Sequence, residues 1–270
     1  MDQMTPTVDF TAALGPDFDL TGKTAFIPGG YGGLGEAIAW GLALRGARVV
    51  VAGRHRDRGE ALAEKLKAAG HDAGAEVLDA TQTAEIRGAV DRVAERFGGP
   101  DILVNCVGIN IEEAMVDVTE TSFDEVYTAN VKSAMFLGQA VARRQIAAGC
   151  GGKQVHMLSV SSHRGFFGRG YSAYCTSKGA LVMLVRQHAL ELAQHGICVN
   201  GVAPTYVMTE MIREKMADPK LAEELRASIP AGRIAEPVDV AGPTVFLCSP
   251  AADFVTGQVL YVDGGISANR

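Results

Sequence analysis

The chain has 270 residues, of which 47% are hydrophobic and 21% are charged. This composition is typical of a globular protein with a substantial apolar core, and it excludes a low-complexity or disulfide-dependent chain. Lysine and arginine total 25 against 31 aspartate and glutamate residues, which gives a net charge of −6. An acidic chain offers no basic footprint, and no apolar run approaches the roughly 18 residues that span a bilayer. We therefore expect neither a nucleic-acid partner nor a membrane partner.

The five cysteines lie far apart without CxxC spacing, and the six histidines show no HxxH or HExxH pattern. An odd number of scattered thiols favours a reducing compartment, so we expect a cytoplasmic protein with no catalytic metal. Residues 1–20 contain four aspartates and two prolines but no lysine or arginine. This stretch lacks the basic start of a signal peptide and is predicted to form an N-terminal arm.

Short β-branched runs alternate with longer stretches whose apolar residues recur every three or four positions. The runs predict strands at 24–27, 48–52, 75–78, 102–106, 154–158, 197–203 and 258–262. The periodic stretches predict helices at 34–45, 57–69, 83–97, 122–148, 172–195 and 237–248. Because parallel strands need helical crossovers, we expect a single α/β, doubly wound Rossmann-type domain over 21–270, with helices on both faces of a seven-stranded, mainly parallel sheet. A further helical segment at 209–226 interrupts the alternation and predicts a substrate lid at about 205–230.

A glycine-rich turn follows the first strand and leads directly into the first helix. Glycines in such a turn allow tight backbone bends and the close approach of a pyrophosphate, which the N-terminus of the helix then faces. The position between a strand and a helix predicts a dinucleotide site rather than a merely flexible turn. The predicted cofactor-binding residues of this turn are Gly29, Tyr31, Gly32, Gly33, Leu34 and Gly35.

The second strand is followed by Arg54, His55 and Arg56, with no carboxylate where an acid would bond the adenosine ribose of NAD. An arginine at this position pairs with a 2′-phosphate. Arg54, with Arg56 as a second candidate, therefore favours NADP as the cofactor. A solvated basic turn is the other interpretation, and NAD is the alternative cofactor.

Tyr174 and Lys178 lie four residues apart in a predicted helix and therefore project from one face. A phenol with a pKa near 10 is a poor acid or base at neutral pH, and a neighbouring ammonium stabilises the phenolate. We expect Lys178 to lower the pKa of Tyr174 toward the range that suits general acid–base catalysis.

At these residues the chain resembles the short-chain dehydrogenase/reductase family, from Leu20 to the C-terminus. The family's motifs occur in order as Gly33-Leu34-Gly35, Asp79, Asn105-Cys106-Val107-Gly108, Asn130, Ser159, Tyr174 with Lys178, Pro204-Thr205 and Val262-Asp263-Gly264-Gly265. The proline–threonine step at Pro204-Thr205 resembles members of the family that act on sugars and polyols.

The resemblance implies four catalytic residues. Tyr174 would be the general acid/base, Ser159 would hydrogen-bond the substrate oxygen, Lys178 would hold the nicotinamide ribose, and Asn130 would anchor a water-linked proton relay. The further cofactor contacts that it implies are Asp79 and Ala80 beside the adenine, Asn105, Val107 and Gly108 along the cleft, Val207 and Thr209 toward the carboxamide and pyrophosphate, and Pro204 with Thr205. It also implies a homo-oligomer, commonly a tetramer, in which helices 122–148 and 172–195 pack across a twofold axis.

Some positions depart from the family's usual pattern. Pro28 stands where a threonine usually begins the glycine-rich turn, and Val107 stands where alanine is common. Ser159 precedes Tyr174 by 15 positions, whereas Ser161 lies at the usual interval of 13. The predicted strand ends at Ser159, at the carboxyl edge where α/β sites lie, so Ser159 is preferred to Ser161 as the catalytic serine.

The loop at 162–170 precedes Tyr174 and contains two arginines, one histidine and two phenylalanines. A clamp for a carboxylate, phosphate or sulfonate of the substrate is one interpretation. Solvated arginines or a subunit contact is the other. The candidate substrate-binding residues are Ser161, His163, Arg164, Arg169 and Tyr206.

These patterns predict an oxidoreductase that transfers a hydride between NADP(H) and a secondary alcohol or ketone, with a sugar- or polyol-like substrate. One alternative is a 3-oxoacyl thioester reductase, which needs Arg143 and Arg144, or Arg164 and Arg169, at the mouth of the site. The other alternative is a protein that senses the dinucleotide without turnover, suggested by the departures from the usual cofactor motifs.

Overall fold

The computed structural model describes residues 17–268, so most of the predicted N-terminal arm at 1–20 lies outside the described residues. The strands are β1 (Thr24–Pro28), β2 (Arg48–Gly53), β3 (Ala73–Val77), β4 (Ile102–Asn105), β5 (Gly152–Met157), β6 (Ile197–Pro204) and β7 (Val259–Val262). They form one parallel sheet in the order β3-β2-β1-β4-β5-β6-β7. The predicted doubly wound sheet is therefore confirmed.

The helices are α1 (Gly33–Ala43), α2 (Arg56–Ala68), α3 (Thr83–Phe97), α4 (Glu120–Tyr127), α5 (Ser133–Ala148), α6 (Ser172–Leu192), α7 (Glu210–Lys215), α8 (Pro219–Ala227) and α9 (Pro237–Cys248). The predicted excursion at 209–226 corresponds to α7 and α8. Asp218 begins α8, because its Oδ1 accepts hydrogen bonds from the amides of Lys220 and Leu221. None of the helices within residues 17–268 is long and apolar enough to cross a membrane.

The predicted single helix at 122–148 is wrong. The chain forms α4, then a π-helical turn at Thr128–Lys132, and then α5. α4 begins before the predicted start, because Thr119 caps it by accepting a hydrogen bond from the amide of Ser122 at 3.1 Å. The apolar periodicity continues through the π turn, so the pattern gave no signal of the interruption.

The core lies on both faces of the sheet, because successive residues of a strand point to opposite sides. Ile27 of β1 packs with Ile38 of α1 and with α9, whereas Phe26 packs with Val90 of α3 and with α5. β1 lies between β2 and β4, so the strand order reverses at its side. In doubly wound sheets this reversal opens a crevice at the carboxyl ends of the strands, where ligands bind.

Candidate active site

A cleft runs along the carboxyl edge of the sheet and consists of three adjoining cavities. The outer cavity, which contains Arg54, has a volume of about 840 Å³. The central cavity, which contains Lys178, measures about 500 Å³, and the inner cavity, which contains Ser159, measures about 210 Å³. Val107 borders both the outer and the central cavity, and Tyr174 borders both the central and the inner cavity. The three cavities therefore form one continuous, elongated binding site.

The turn after β1 lies at the junction of the outer and central cavities. Gly29 has a φ of +76°, and a Cβ on it would lie 2.8 Å from the carbonyl carbon of Cys106. A Cβ on Gly35 would lie 2.7 Å from the Cα of Gly30. Only glycine at these two positions lets β1, α1 and the loop after β4 approach so closely. The N-terminal residues of α1 that line the central cavity are Gly32, Gly33, Leu34 and Gly35.

Basic residues line one end of the outer cavity, at the turn between β2 and α2. Arg54, His55 and Arg58 line this end, whereas Arg56 forms an ion pair with Glu60 at 3.3 Å and does not line it. Arg58, and not the second candidate Arg56, is therefore the partner of Arg54 here. Both arginines lie in or beside the first turn of α2, so sequence position alone did not distinguish them.

Tyr31 holds this end of the outer cavity in place. Its hydroxyl accepts a hydrogen bond from the amide of His55 at 2.8 Å, and the guanidinium carbon of Arg58 lies 5.3 Å from the centre of its ring. Further along the same cavity, Asp79 accepts hydrogen bonds from the amide and hydroxyl of Thr81 at 3.0 and 2.7 Å. Tyr31, Asp79 and Ala80 all line the cavity, as the cofactor prediction requires.

Tyr174 and Lys178 lie one turn apart in the first part of α6. Lys178 is 4% exposed, and its Nζ donates a hydrogen bond to the carbonyl of Met157 at 2.8 Å. The same Nζ lies 5.7 Å from the centre of the Tyr174 ring. Lys178 borders the central cavity, and the half-buried Tyr174 stands at the boundary between the central and inner cavities.

The expectation that Lys178 lowers the pKa of Tyr174 is wrong. Burial raises the pKa of Tyr174, and a hydrogen bond with Ser159 offsets only part of this effect. Burial also lowers the pKa of Lys178, to about 8. The four-residue spacing predicted the two neighbours correctly, but desolvation disfavours the charged form of each group and cannot be derived from spacing.

Ser159 is the serine that hydrogen-bonds Tyr174, whereas Ser161 interacts with the neighbouring Cys175. Ser159 directly precedes the short 3-10 turn Val160–Ser162, and its Oγ accepts a hydrogen bond from the amide of Ser161 at 3.1 Å. Both serines line the inner cavity. The position after β5, rather than the usual sequence interval, thus identifies the serine that hydrogen-bonds the Tyr174 phenol.

Asn130 is fully buried in the π turn and connects two parts of the site. Its Oδ1 accepts a hydrogen bond from the amide of Ile109 at 2.8 Å, and its Nδ2 donates to the carbonyl of Ile109 at 3.0 Å and to Oγ of Ser177 at 2.9 Å. Oγ of Ser177 in turn donates to the carbonyl of Tyr174 at 2.8 Å. These bonds hold the Asn130 side chain between the loop after β4 and α6, and its role in a proton relay stays a prediction.

Asn105 does not line the cleft, contrary to the expectation from the resemblance. It is 2% exposed, and its Oδ1 accepts a hydrogen bond from the amide of Val107 at 3.0 Å. Val107 and Gly108 line both the outer and the central cavity. Asn105 therefore supports the loop after β4 (residues 106–108, the cofactor loop) through this hydrogen bond, and its amide nitrogen is directed toward His156 of β5.

The inner cavity has aromatic and polar walls. Phe166, Tyr171 and Tyr206 line it, and Asn110 and Thr205 contribute buried oxygen atoms. Neither Asn110 Oδ1 nor Thr205 Oγ1 has a hydrogen-bond partner in the described part of the chain. The wall contributed by the predicted lid region contains Pro204, Thr205, Tyr206, Val207, Thr209 and Ile212. Val207 borders only this cavity, whereas Thr209 also reaches the central one.

Three of the candidate substrate residues, His163, Arg164 and Arg169, do not line the inner cavity. His163 is exposed, and its ring packs against that of Tyr261 with centroids 5.7 Å apart. Nη1 of Arg164 donates a hydrogen bond to the carbonyl of Ile266 at 2.9 Å. These side chains pack against the C-terminal segment, and their binding to substrate stays a prediction.

The positive charges of Arg169 and Arg164 oppose the burial that raises the pKa of Tyr206, a residue of the inner cavity. Arg144, considered above for a thioester substrate, forms an ion pair with Asp91 at 2.6 Å between α5 and α3. It does not line any of the three cavities.

Comparisons with known proteins agree with this geometry. A family model described as enoyl-(acyl carrier protein) reductase matches residues 30–267. The chain is 38% identical to 2-dehydro-3-deoxy-D-gluconate 5-dehydrogenase of Dickeya dadantii (strain 3937), over 92% of this chain and 96% of that protein. It is 36% identical to sorbitol dehydrogenase of Cereibacter sphaeroides, over 91% of this chain and 98% of that protein.

A solved structure shows the same likeness in three dimensions. The gluconate 5-dehydrogenase from Burkholderia cenocepacia J2315, in complex with NADP and tartrate, is 34% identical, with a TM-score of 0.90. The likeness covers 94% of this chain and 98% of that chain. The family match and these whole-chain similarities confirm the resemblance: the chain belongs to the short-chain dehydrogenase/reductase family.

Proposed function

We propose that this protein is an NADP(H)-dependent oxidoreductase that interconverts a secondary alcohol and a ketone on a small, sugar-like substrate. The position of Tyr174 carries the proposal, because its phenol stands between the central and inner cavities. Ser159 hydrogen-bonds this phenol, and Lys178 lies one helical turn away. An acid/base at the boundary between a cofactor site and a substrate site is the arrangement that hydride transfer to a carbonyl requires.

The outer and central cavities fit an extended dinucleotide. Gly29 and Gly35 keep side chains out of the turn that would receive the pyrophosphate, and the N-terminus of α1 faces it. Arg54 and Arg58 in the outer cavity suit a 2′-phosphate, and Arg58 also lines the central cavity. When bound, NADP(H) supplies or accepts the hydride. The related gluconate 5-dehydrogenase structure, which contains NADP, supports the same cofactor here.

In the reductive direction, Tyr174 donates its phenolic proton to the substrate oxygen as negative charge develops there. The Ser159 hydroxyl donates a hydrogen bond to the same oxygen and stabilises that charge. Burial raises the pKa of Tyr174, so the phenol is protonated and ready to donate at neutral pH. In the oxidative direction, the phenolate accepts the proton of the alcohol, and the hydrogen bond with Ser159 stabilises the phenolate.

The inner cavity suits a short molecule with several hydroxyl groups. At about 210 Å³ it has little room for a long acyl chain. The unpartnered oxygens of Asn110 and Thr205 can accept hydrogen bonds from substrate hydroxyls. The names of the relatives, which refer to sugar acids and sorbitol, support a polyol, sugar or sugar acid as the substrate.

The test is a turnover assay with purified protein, measured by absorbance of the reduced nicotinamide. The panel contains gluconate, sorbitol and rhamnose, with 3-oxoacyl esters as the competing class, and each compound is tested with NADP and with NAD. We expect turnover of a polyhydroxylated compound and a higher kcat/KM with NADP. Turnover of 3-oxoacyl esters alone would replace the substrate class. Tight NADP binding by calorimetry without any turnover would favour the sensing alternative.

We also propose that the protein forms a homo-oligomer through α5 and α6, as the family resemblance implies. Large apolar side chains on these helices are exposed, with Met135 at 39%, Met183 at 59% and Leu190 at 77%. Sedimentation velocity distinguishes a tetramer or dimer from a monomer, and a monomer at all concentrations would contradict the proposal.

A further inference from the structure

A cluster of buried polar side chains lies between β5, α5 and α6. Gln154 and His156 of β5 are both 0% exposed, and His188 of α6 is 9% exposed. Three of their atoms, Gln154 Oε1, His156 Nε2 and His188 Nδ1, have no hydrogen-bond partner within residues 17–268. Native proteins rarely leave buried polar atoms unpaired, so three of them in one cluster indicate a bound group.

The surrounding bonds determine what Gln154 offers. Its Nε2 donates hydrogen bonds to the carbonyl of Gly138 at 3.2 Å and to Oε1 of Gln145 at 3.1 Å. Gln145 is oriented in turn, because its Nε2 donates to the carbonyl of Asp101 at 2.9 Å. With both donors of the Gln154 amide directed at acceptors, its unpaired Oε1 is an acceptor.

The same reasoning determines the tautomer of His156. Oδ1 of Asn105 accepts a hydrogen bond from the amide of Val107, so Nδ2 of Asn105 is the group that faces His156 Nδ1, at 3.4 Å. Nδ1 of His156 therefore accepts. Burial lowers the pKa of His156 to about 3, so the ring is neutral and carries its proton on Nε2. The unpaired Nε2–H is a donor.

His188 completes the set. Its Nε2 lies 3.3 Å from Sδ of Met135, a weak acceptor, which leaves Nδ1 as an acceptor. A Cβ built on Gly138 would lie 3.3 Å from His188 Nδ1 and 3.2 Å from Gln154 Oε1, so both acceptors lie close to this glycine and on the same side of it. One donor and two acceptors match the hydrogen bonds of a single water molecule.

We propose that one internal water molecule is bound beside Gly138, where it accepts a hydrogen bond from His156 Nε2–H and donates to Gln154 Oε1 and His188 Nδ1. The water ends a buried chain of hydrogen bonds that continues through His156 and Asn105. That chain reaches the amide of Val107, which borders the outer and central cavities. His156 is therefore a positioning residue for the cofactor loop. This role rests on the proposed dinucleotide site, whereas the presence of the water does not depend on that site.

A high-resolution crystal structure of the full chain tests the water directly. We expect an electron-density peak within hydrogen-bond distance of all three atoms, and nitrogen-15 NMR is expected to report the Nε2–H tautomer for His156. Direct hydrogen bonds among the three side chains, with no density between them, would overturn the proposal. The Nδ1–H tautomer would overturn it as well.

Two substitutions of His156 test the positioning role. His156→Asn keeps an acceptor near Asn105 and loses the donor to the water, whereas His156→Gln keeps a donor at the longer reach and loses that acceptor. We expect the calorimetric Kd for NADP to stay within about twofold in His156→Asn and to rise about tenfold in His156→Gln. Equal Kd values in the two variants would remove the positioning role. If the wild-type protein binds no dinucleotide, the proposed function fails, and the crystal structure still decides the water.

Discussion

Replacing Arg58 by alanine tests the assignment of the outer cavity to the 2′-phosphate of NADP. Arg58 lies over the ring of Tyr31 and lines this cavity together with Arg54. The substitution removes one exposed guanidinium, which packs over Tyr31 and also lines the central cavity, and it leaves the glycines of the turn unchanged. The expected effect is therefore a larger rise in the Kd for NADP than in the Kd for NAD.

The magnitude follows from the charges and their exposure. Two unit charges 4 Å apart interact by about 1 kcal/mol in a water-like medium, and a phosphate monoester carries about −1.5 to −2 at pH 7. Loss of one exposed guanidinium therefore costs about 1.5–2 kcal/mol, which corresponds to roughly a ten- to thirtyfold rise in the Kd for NADP. Because the groups are exposed, the effect should shrink at high ionic strength.

Arg56→Ala is the matched control, because it removes the same charge two positions away. Arg56 is paired with Glu60 at 3.3 Å and does not line the outer cavity. Calorimetry with NADP and NAD at fixed ionic strength should show a change of less than about twofold in the ratio of the two Kd values for this variant. An unchanged ratio in Arg58→Ala, or an equal shift in both variants, would refute the assignment of Arg58 to the phosphate.

Three further predictions follow from the glycine-rich turn and the two catalytic candidates. Gly35→Ala should weaken the calorimetric Kd for NADP by about a hundredfold or more, since its Cβ would lie 2.7 Å from the Cα of Gly30. The control Gly88→Ala in α3, where a Cβ would meet only Nη1 of Arg92 at 3.4 Å, should stay within about twofold, and normal binding by Gly35→Ala would contradict the packing. Lys178→Met should raise the free energy of unfolding by about 3 kcal/mol at pH 7, because the folded pKa of Lys178 is about 8 against 10.5 for a free lysine. The free-energy cost of burying the charged lysine is complete below pH 8 and vanishes above pH 10.5. Urea titrations should therefore show the stability difference between Lys178→Met and the wild-type protein shrinking over that interval, and a difference that does not change with pH would contradict the burial of a charge. Because burial raises the pKa of Tyr174, the rate of alcohol oxidation should increase from pH 7 to pH 10, whereas the rate of ketone reduction should stay nearly constant from pH 7 to pH 9. An oxidation rate that falls with rising pH would contradict the role of the phenolate as the base.

The features that were predictable from the sequence depend on spacing within one element or on the order of elements. The location of the glycine-rich turn between β1 and α1 could be predicted from its position after a strand. The proximity of Tyr174 and Lys178 could be predicted from their four-residue spacing in a helix. The sheet followed from the alternation of strands and helices, since parallel strands need crossovers.

The features that were not predictable depend on where a side chain turns after the chain has folded. Arg164 is directed to the carbonyl of Ile266, 102 positions away, and Asn105 is directed toward β5 rather than into the cleft. Neither partner is marked by local sequence. The raised pKa of Tyr174 likewise results from burial by distant segments, which a pair of residues four positions apart does not reveal.

The measurement that tests the central claim most directly compares Tyr174→Phe with Tyr171→Phe. Both phenols border the inner cavity, with ring centres 5.9 Å apart, but Tyr174 alone of the two also borders the central cavity. If Tyr174 is the acid/base, its substitution should lower kcat about 10²- to 10⁴-fold and leave the Kd for NADP within about twofold. Tyr171→Phe should change kcat by less than about tenfold, because it removes no proton donor at the boundary. Turnover by Tyr174→Phe at the wild-type rate, or an equal loss of kcat in both variants, would contradict the account.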